Sequence, residues 1–207
     1  VKFVQNTSKH AATPLTNHMG LRTVVSYRPE PRGTWLRDGT AIDPWAVWKD
    51  TRVQKFHEAR PLFILILLGL AALIYLAVRQ TKGELWIAAA LGTGYIVGGA
   101  ELTCYYYGFF IGMACLHELR REVGLVLMVM LATTHVVASA AVPGLSSWLD
   151  DQYTSMTIAS LAACCAIWFL FSKQGEALTQ PPEGPLQNLW PAALLASAPA
   201  PEKKSRR

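Results

Sequence analysis

The chain has 207 residues, of which 52% are hydrophobic and 16% charged, against roughly 25% charged in soluble domains. The apolar residues fall in runs, and runs of about 20 residues mark membrane-spanning helices. That patterning excludes an ordinary soluble globular domain. The net charge of +5 is concentrated in residues 1–60, which hold ten Lys/Arg and five Asp/Glu, whereas the rest of the chain balances to zero. Such a segment beside a membrane suits anionic lipid headgroups or phosphate; a solvated polar domain is the plainer alternative, and nucleic acid is not expected as a partner.

The sequence begins at Val1 and shows no basic n-region followed by an apolar h-region. The expectation is an unusual start or the C-terminal piece of a longer protein, with a preceding membrane region or a partner subunit completing it. Residues 1–60 are polar and punctuated by Pro14, Gly20, Pro29, Pro31, Gly33, Gly39 and Pro44. LRTVVSY (21–27) has β-branched residues between Gly20 and Pro29 and reads as a strand. Residues 43–61 read as an interfacial helix, near 44–59 in its core. Asp43 is a fair N-cap and Pro44 a natural first residue, and Trp45, Trp48, Val53 and Phe56 lie roughly on one face.

The transmembrane region is expected over 61–172. LFILILLGLAALIYLAV (62–78) carries no charge and is flanked by Arg60 and Arg79, which makes it the clearest span. Residues 85–116 would extend about 48 Å as one helix, well beyond a hydrocarbon core of about 30 Å. Two short helices, 85–99 and 101–116, meeting at Gly98-Gly99, put Glu101 in a turn at the water boundary. The alternative is one long helix with Glu101 at its centre, where a carboxylate is costly and usually functional. HELRRE (117–122) is a charged loop, 123–142 the next span, PGLSSWLDDQYTS (143–155) an acidic loop and 156–172 the last span. The Pro/Ala-rich basic tail, 173–207, cannot bury enough apolar surface to fold and is expected to be disordered. The fold class is therefore all-α: an integral membrane bundle of four or five helices in the cell membrane. Arg120, Arg121 and Lys173 point those ends to the cytoplasm, and five spans then put residues 1–60 outside.

On that reading Glu101, Tyr105, Tyr106, Tyr107, Asp150, Asp151 and Tyr153 gather near the outer face, with His10, His18 and several arginines of the first segment. Arginines such as Arg22 and Arg28 suit phosphate binding, and a carboxylate beside them suits a general base. The structural alternative makes Glu101 a helix cap and the tyrosines part of the aromatic belt. His135 lies within a span, as a proton-relay candidate or as a neutral, hydrogen-bonded ring. Cys104, Cys115, Cys164 and Cys165 lack metal or redox spacing and read as small hydrophobes. No motif names a cofactor or a metal.

The passage LWIAAALGTGYIVGGAELTCYYYGFFIGMACL, followed by HELRR, resembles the late helices of polytopic glycosyltransferases that use polyprenol-phosphate-sugar donors. The matching features are Glu101 at a turn, Tyr105 to Tyr107, and the basic loop. The resemblance implies a lipid-phosphate-sugar donor as partner; the candidate catalytic residues are Glu101, Asp150 and Asp151, and the candidates for substrate binding are Tyr105–Tyr107, His135, Arg22 and Arg28. The family's own catalytic aspartate would lie upstream of Val1. A non-enzymatic membrane subunit or scaffold, and a small carrier using Glu101 and His135, are the competing readings.

Overall fold

The structure is a computed structural model that describes residues 13–29, 36–81, 84–139 and 149–173, apart from the side chains of Tyr106 and Leu149. The chain divides into two units, Val1–Gly175 and Glu176–Arg207. The second unit, with the tail expected to be disordered, lies outside the described residues.

The described chain is mostly helical. In order it forms β1 (His18–Met19), α1 (Leu21–Ser26), α2 (Ala46–Arg79), α3 (Leu85–Thr93), α4 (Tyr95–Gly99) and β2 (Leu102–Thr103). A 3-10 helix (Cys104–Phe109), α5 (Phe110–Ala114), a second 3-10 turn (Cys115–Glu118), α6 (Arg121–Ala138) and α7 (Leu149–Ser172) follow. Three helices are long and apolar enough to cross a membrane: α2, α6 and α7.

Helix α2 merges two elements read separately in the sequence, the interfacial helix and the first span. It runs through Pro61, which has no N–H and so leaves the carbonyl four residues earlier without its helical partner. Its 34 residues reach about 51 Å, some 20 Å longer than a hydrocarbon core. The first third of α2 therefore extends past the apolar part as a polar outgrowth. The helix starts at Ala46, not at Pro44, because Asp43 makes a turn just ahead of it. The Asp43 carboxylate accepts from the Trp45 N–H at 3.0 Å and the Asp43 carbonyl from the Ala46 N–H at 3.1 Å.

Residues 85–118 form two short antiparallel pieces rather than one helix. A first break falls at Gly94, where a Cβ would lie 2.9 Å from the Met113 sulfur, 3.0 Å from the Trp168 ring and 3.1 Å from the Cys164 sulfur. Only glycine lets these three elements approach so closely. The second break, at Ala100 and Glu101, turns the chain into β2. The pairing of α7 with the first piece is antiparallel: the Trp168 indole N–H donates to the Leu91 carbonyl at 3.0 Å, and the Cys164 thiol lies 3.7 Å from the Gly94 carbonyl. Leu91, Val97, Met113, Leu116, Val123, Ile167, Trp168 and Phe171 are sealed from solvent and form the core.

The outer faces of the long helices stay bare. Leu65 and Leu68 on α2 and Leu125, Met128 and Leu131 on α6 are each about two-thirds exposed. An uncovered apolar band of this extent matches a lipid surround.

LRTVVSY does not form the expected strand. Residues Leu21–Ser26 are the helix α1, which packs against α2 and α7. The Ser26 hydroxyl bonds the Arg22 carbonyl at 2.7 Å, and Leu21, Thr23 and Val25 are buried. Tertiary burial overrides the β-branched preference here. The strand lies just before it: His18–Met19 pairs antiparallel with Leu102–Thr103, His18 opposite Thr103 and Met19 opposite Leu102.

Candidate functional site

The first segment folds back onto the 99–104 turn and becomes part of the bundle. The Cys104 N–H donates to the Asn17 carbonyl at 3.2 Å, extending the β1–β2 pair. Gly20 follows with φ +136°, and a Cβ there would sit 2.4 Å from the Ala100 carbonyl oxygen. The Gly20 N–H donates to the Thr157 hydroxyl at 3.2 Å, tying the same point to α7. This docking carries His18 and Arg22 over Glu101.

Glu101 is consequently at the turn and yet enclosed, its side chain only 7% exposed. One carboxylate oxygen lies 3.2 Å from His18 Nδ1 and the other 3.2 Å from Arg22 Nε. The Arg22 guanidinium also stacks on the Phe56 ring, 4.4 Å from its centre. The Leu15 N–H points at the same His18 Nδ1 at 3.3 Å. That nitrogen accepts from Leu15 or donates to Glu101, and cannot do both.

Two further carboxylates at this end are held in the same way. Asp150 pairs with Arg52, and both are buried. Arg52 also donates to the Thr23 carbonyl at 3.3 Å and lies over the Trp48 ring at 5.5 Å. Asp151, also buried, accepts from the Tyr27 hydroxyl at 2.8 Å. Each of the three carboxylates thus meets a group from the first 60 residues. Lone buried carboxylates would be costly, and paired, hydrogen-bonded ones are tolerated.

The other expected site residues separate. Arg22 joins Glu101. Arg28 is exposed and donates to the Tyr27 carbonyl at 2.6 Å. Tyr105 is exposed, and Tyr107 has a buried hydroxyl without a hydrogen-bond partner among the described residues. The Tyr106 side chain lies outside the described residues. His135 is exposed on the outer face of α6, and the imidazole that meets Glu101 belongs to His18. The carrier reading, which needs Glu101 and His135 face to face, has no such geometry here. The cysteines are all free thiols, Cys164 buried and Cys115 exposed.

Arg52 and Tyr27 were not singled out from the sequence. Arg52 sits four residues from both Trp48 and Phe56, so a cation occupies the middle of an aromatic stripe at helical spacing. That was a readable signal of a buried pair. Tyr27 had none, since its partner lies 124 residues away.

In the cluster, one Glu101 oxygen faces Arg22 and the other His18, and the carboxylate is nearly sealed from solvent. No group of three or more metal-ligating side chains occurs among the described residues. Compared with known proteins, the chain matches no family model, no curated protein and no solved structure.

Proposed function

We propose that this chain is a multi-pass protein of the cell membrane that works by binding, as a membrane subunit or scaffold, with residues 13–29 and 36–60 forming an outer polar layer. The observation that carries this reading is the pairing of Glu101, Asp150 and Asp151 with Arg22, His18, Arg52 and Tyr27. Three carboxylates are used to fasten one segment to a bundle.

The reading includes five crossings. The pieces 62–79, 85–99, 104–118, α6 and α7 alternate in direction, the second and third being short. Arg79, Arg120, Arg121 and Lys173 collect at the opposite end from the carboxylates, where Arg120 lies over Phe171 and Lys173 over Phe169. Basic ends prefer the cytoplasm, so the carboxylate end is outside. The binding partners on this reading are the bilayer, its anionic headgroups against the basic segment, and a protein subunit on the polar layer.

Thermal unfolding of Glu101→Gln in detergent separates clamp from base. A clamp loses about 2–3 kcal/mol, because half-buried Arg22 remains without a counter-charge and buried His18 loses its partner, and the unfolding midpoint falls. Catalytic carboxylates are generally held at a cost to stability, so a midpoint that holds or rises in the variant would return Glu101 to catalysis.

A further inference from the structure

The bundle wall holds an apolar groove of about 310 Å³. It runs between the 3-10 helix Cys104–Phe109 with α5 on one side and α6 and α7 on the other, and Met19 of β1 closes its end toward the polar layer. Three thioethers line it, those of Met19, Met130 and Met156. Methionine adapts to an irregular, mobile hydrocarbon better than branched side chains do. Two aliphatic residues at the groove are strongly exposed, Ile111 at 73% and Leu131 at 66%, so the opening belongs to the bare band along α6 rather than to an aqueous face.

A void of this size has to be filled. It is about twice the roughly 150 Å³ apolar cavity known to stay dry and to take up benzene. Water has little to hold it there, because two of the lining hydroxyls already bond their own helices. Thr134 donates to the Leu131 carbonyl at 2.9 Å and Ser160 to the Met156 carbonyl at 2.9 Å. Tyr107 also lines the groove, with its hydroxyl buried away from the opening.

We propose that the groove is a lipid site that takes one acyl chain of a bilayer phospholipid. The inference rests on reading the apolar helices as membrane-embedded. The occupant is a membrane lipid because the groove opens onto the lipid-facing band, and the surrounding bilayer supplies acyl chains at far higher concentration than any other apolar ligand. The position of Met19 and Cys104 at one end places the head of the lipid toward the outer polar layer, where ester groups lie.

The test uses the full chain reconstituted in phosphatidylcholine vesicles that contain a phosphatidylcholine with a diazirine midway along one acyl chain. After irradiation, adducts are mapped by mass spectrometry. The expected result is enrichment at Met130, Leu131 and Ile111 over the equally exposed Leu68 and Leu125. Gly108 lines the groove, and a Cβ there meets nothing within 4 Å, so Gly108→Leu fills the void without a clash. This variant should lose the groove adducts several-fold and keep those at Leu68 and Leu125. If Gly108→Leu fails to fold, Met156→Phe fills the same space from α7. Adducts spread evenly over all exposed apolar positions, or groove adducts unchanged in a folded filling variant, would overturn the site while leaving the protein in the membrane. Absence of adducts from every apolar face would instead overturn the membrane reading itself.

Discussion

At the scale of single residues, a buried pair is worth most when only one partner is removed. Arg52 and Asp150 are both nearly sealed, and Arg52 sits between Trp48 and the Thr23 carbonyl. Asp150→Asn should therefore cost about 3–5 kcal/mol, read as a lowered unfolding midpoint in detergent, because a guanidinium is left buried without its counter-charge. The double change Arg52→Met with Asp150→Leu should recover most of that loss, since it removes the desolvation cost along with the attraction. If the double variant is as unstable as the single, the pair is favourable in its own right. Asp43 gives the contrasting case. Its carboxylate is exposed, and the hydrogen bond from Lys49 at 2.7 Å, followed by the one from the Trp45 N–H, holds its pKa below the usual carboxylate range. A depressed folded-state pKa contributes stability that is present above the unfolded value and is lost as the pH falls through the folded one. Asp43→Asn should thus differ slightly from the parent at neutral pH, and the two midpoints should converge on acidification. Asp38 is held down in the same direction by the Thr40 hydroxyl and N–H.

At the scale of elements, the docking of the first segment hinges on Gly20. Its positive φ is open to glycine and strained for other residues, and the Ala100 carbonyl leaves no room for a Cβ. Gly20→Ala should cost more than the roughly 1 kcal/mol of an ordinary glycine substitution, since it meets both strain and a backbone clash. The measurable consequence is local: amide exchange at Met19, Thr103 and Cys104 should quicken while the core around Trp168 keeps its protection. Equal quickening in both places would mean that the segment and the bundle unfold as one unit. Element type was readable where the pattern was long and uniform, as in 62–78, and misread where it was short. LRTVVSY has the composition of a strand, but six residues between a strained glycine and a packed helix pair take their conformation from burial. The join between the interfacial helix and the first span was hidden by Pro61, a residue that ordinarily stops a helix and here is carried through one. The break after Gly99 was legible because helix length and bilayer thickness disagree by a wide margin. What the sequence could not convey was that the turn would be covered, because the cover comes from residues more than eighty positions earlier.

At the scale of the whole molecule, the same long-range docking decides what kind of site the carboxylates make. Glu101, Asp150 and Asp151 were identifiable from the sequence as residues out of place near apolar runs. Their closure by Arg22, His18, Arg52 and Tyr27 was not, because each contact joins elements far apart in the chain. Orientation is the consequence that can be measured directly. Thr40 lies in an exposed turn ahead of α2, and Glu118 is exposed in the turn before α6, at the far end. Single cysteines at positions 40 and 118, in a background without the four native cysteines, should respond oppositely to a membrane-impermeant thiol reagent added to intact cells. Position 40 should label from outside, and position 118 should label only after the membrane is opened. Both positions labelling from outside would mean an even number of crossings between them. Only one of the short pieces 85–99 and 104–118 would then cross the bilayer. The reverse pattern, with 118 outside and 40 inside, would put the carboxylate clamp in the cytoplasm against the basic-end preference. Residues 13–60 would then meet the cytoplasmic leaflet, whose anionic lipids attract basic segments by about 1 kcal/mol per Lys or Arg near the surface. Either departure would move the partner of the polar layer to a different compartment while leaving the clamp itself intact, since its pairs do not depend on which way the bundle faces.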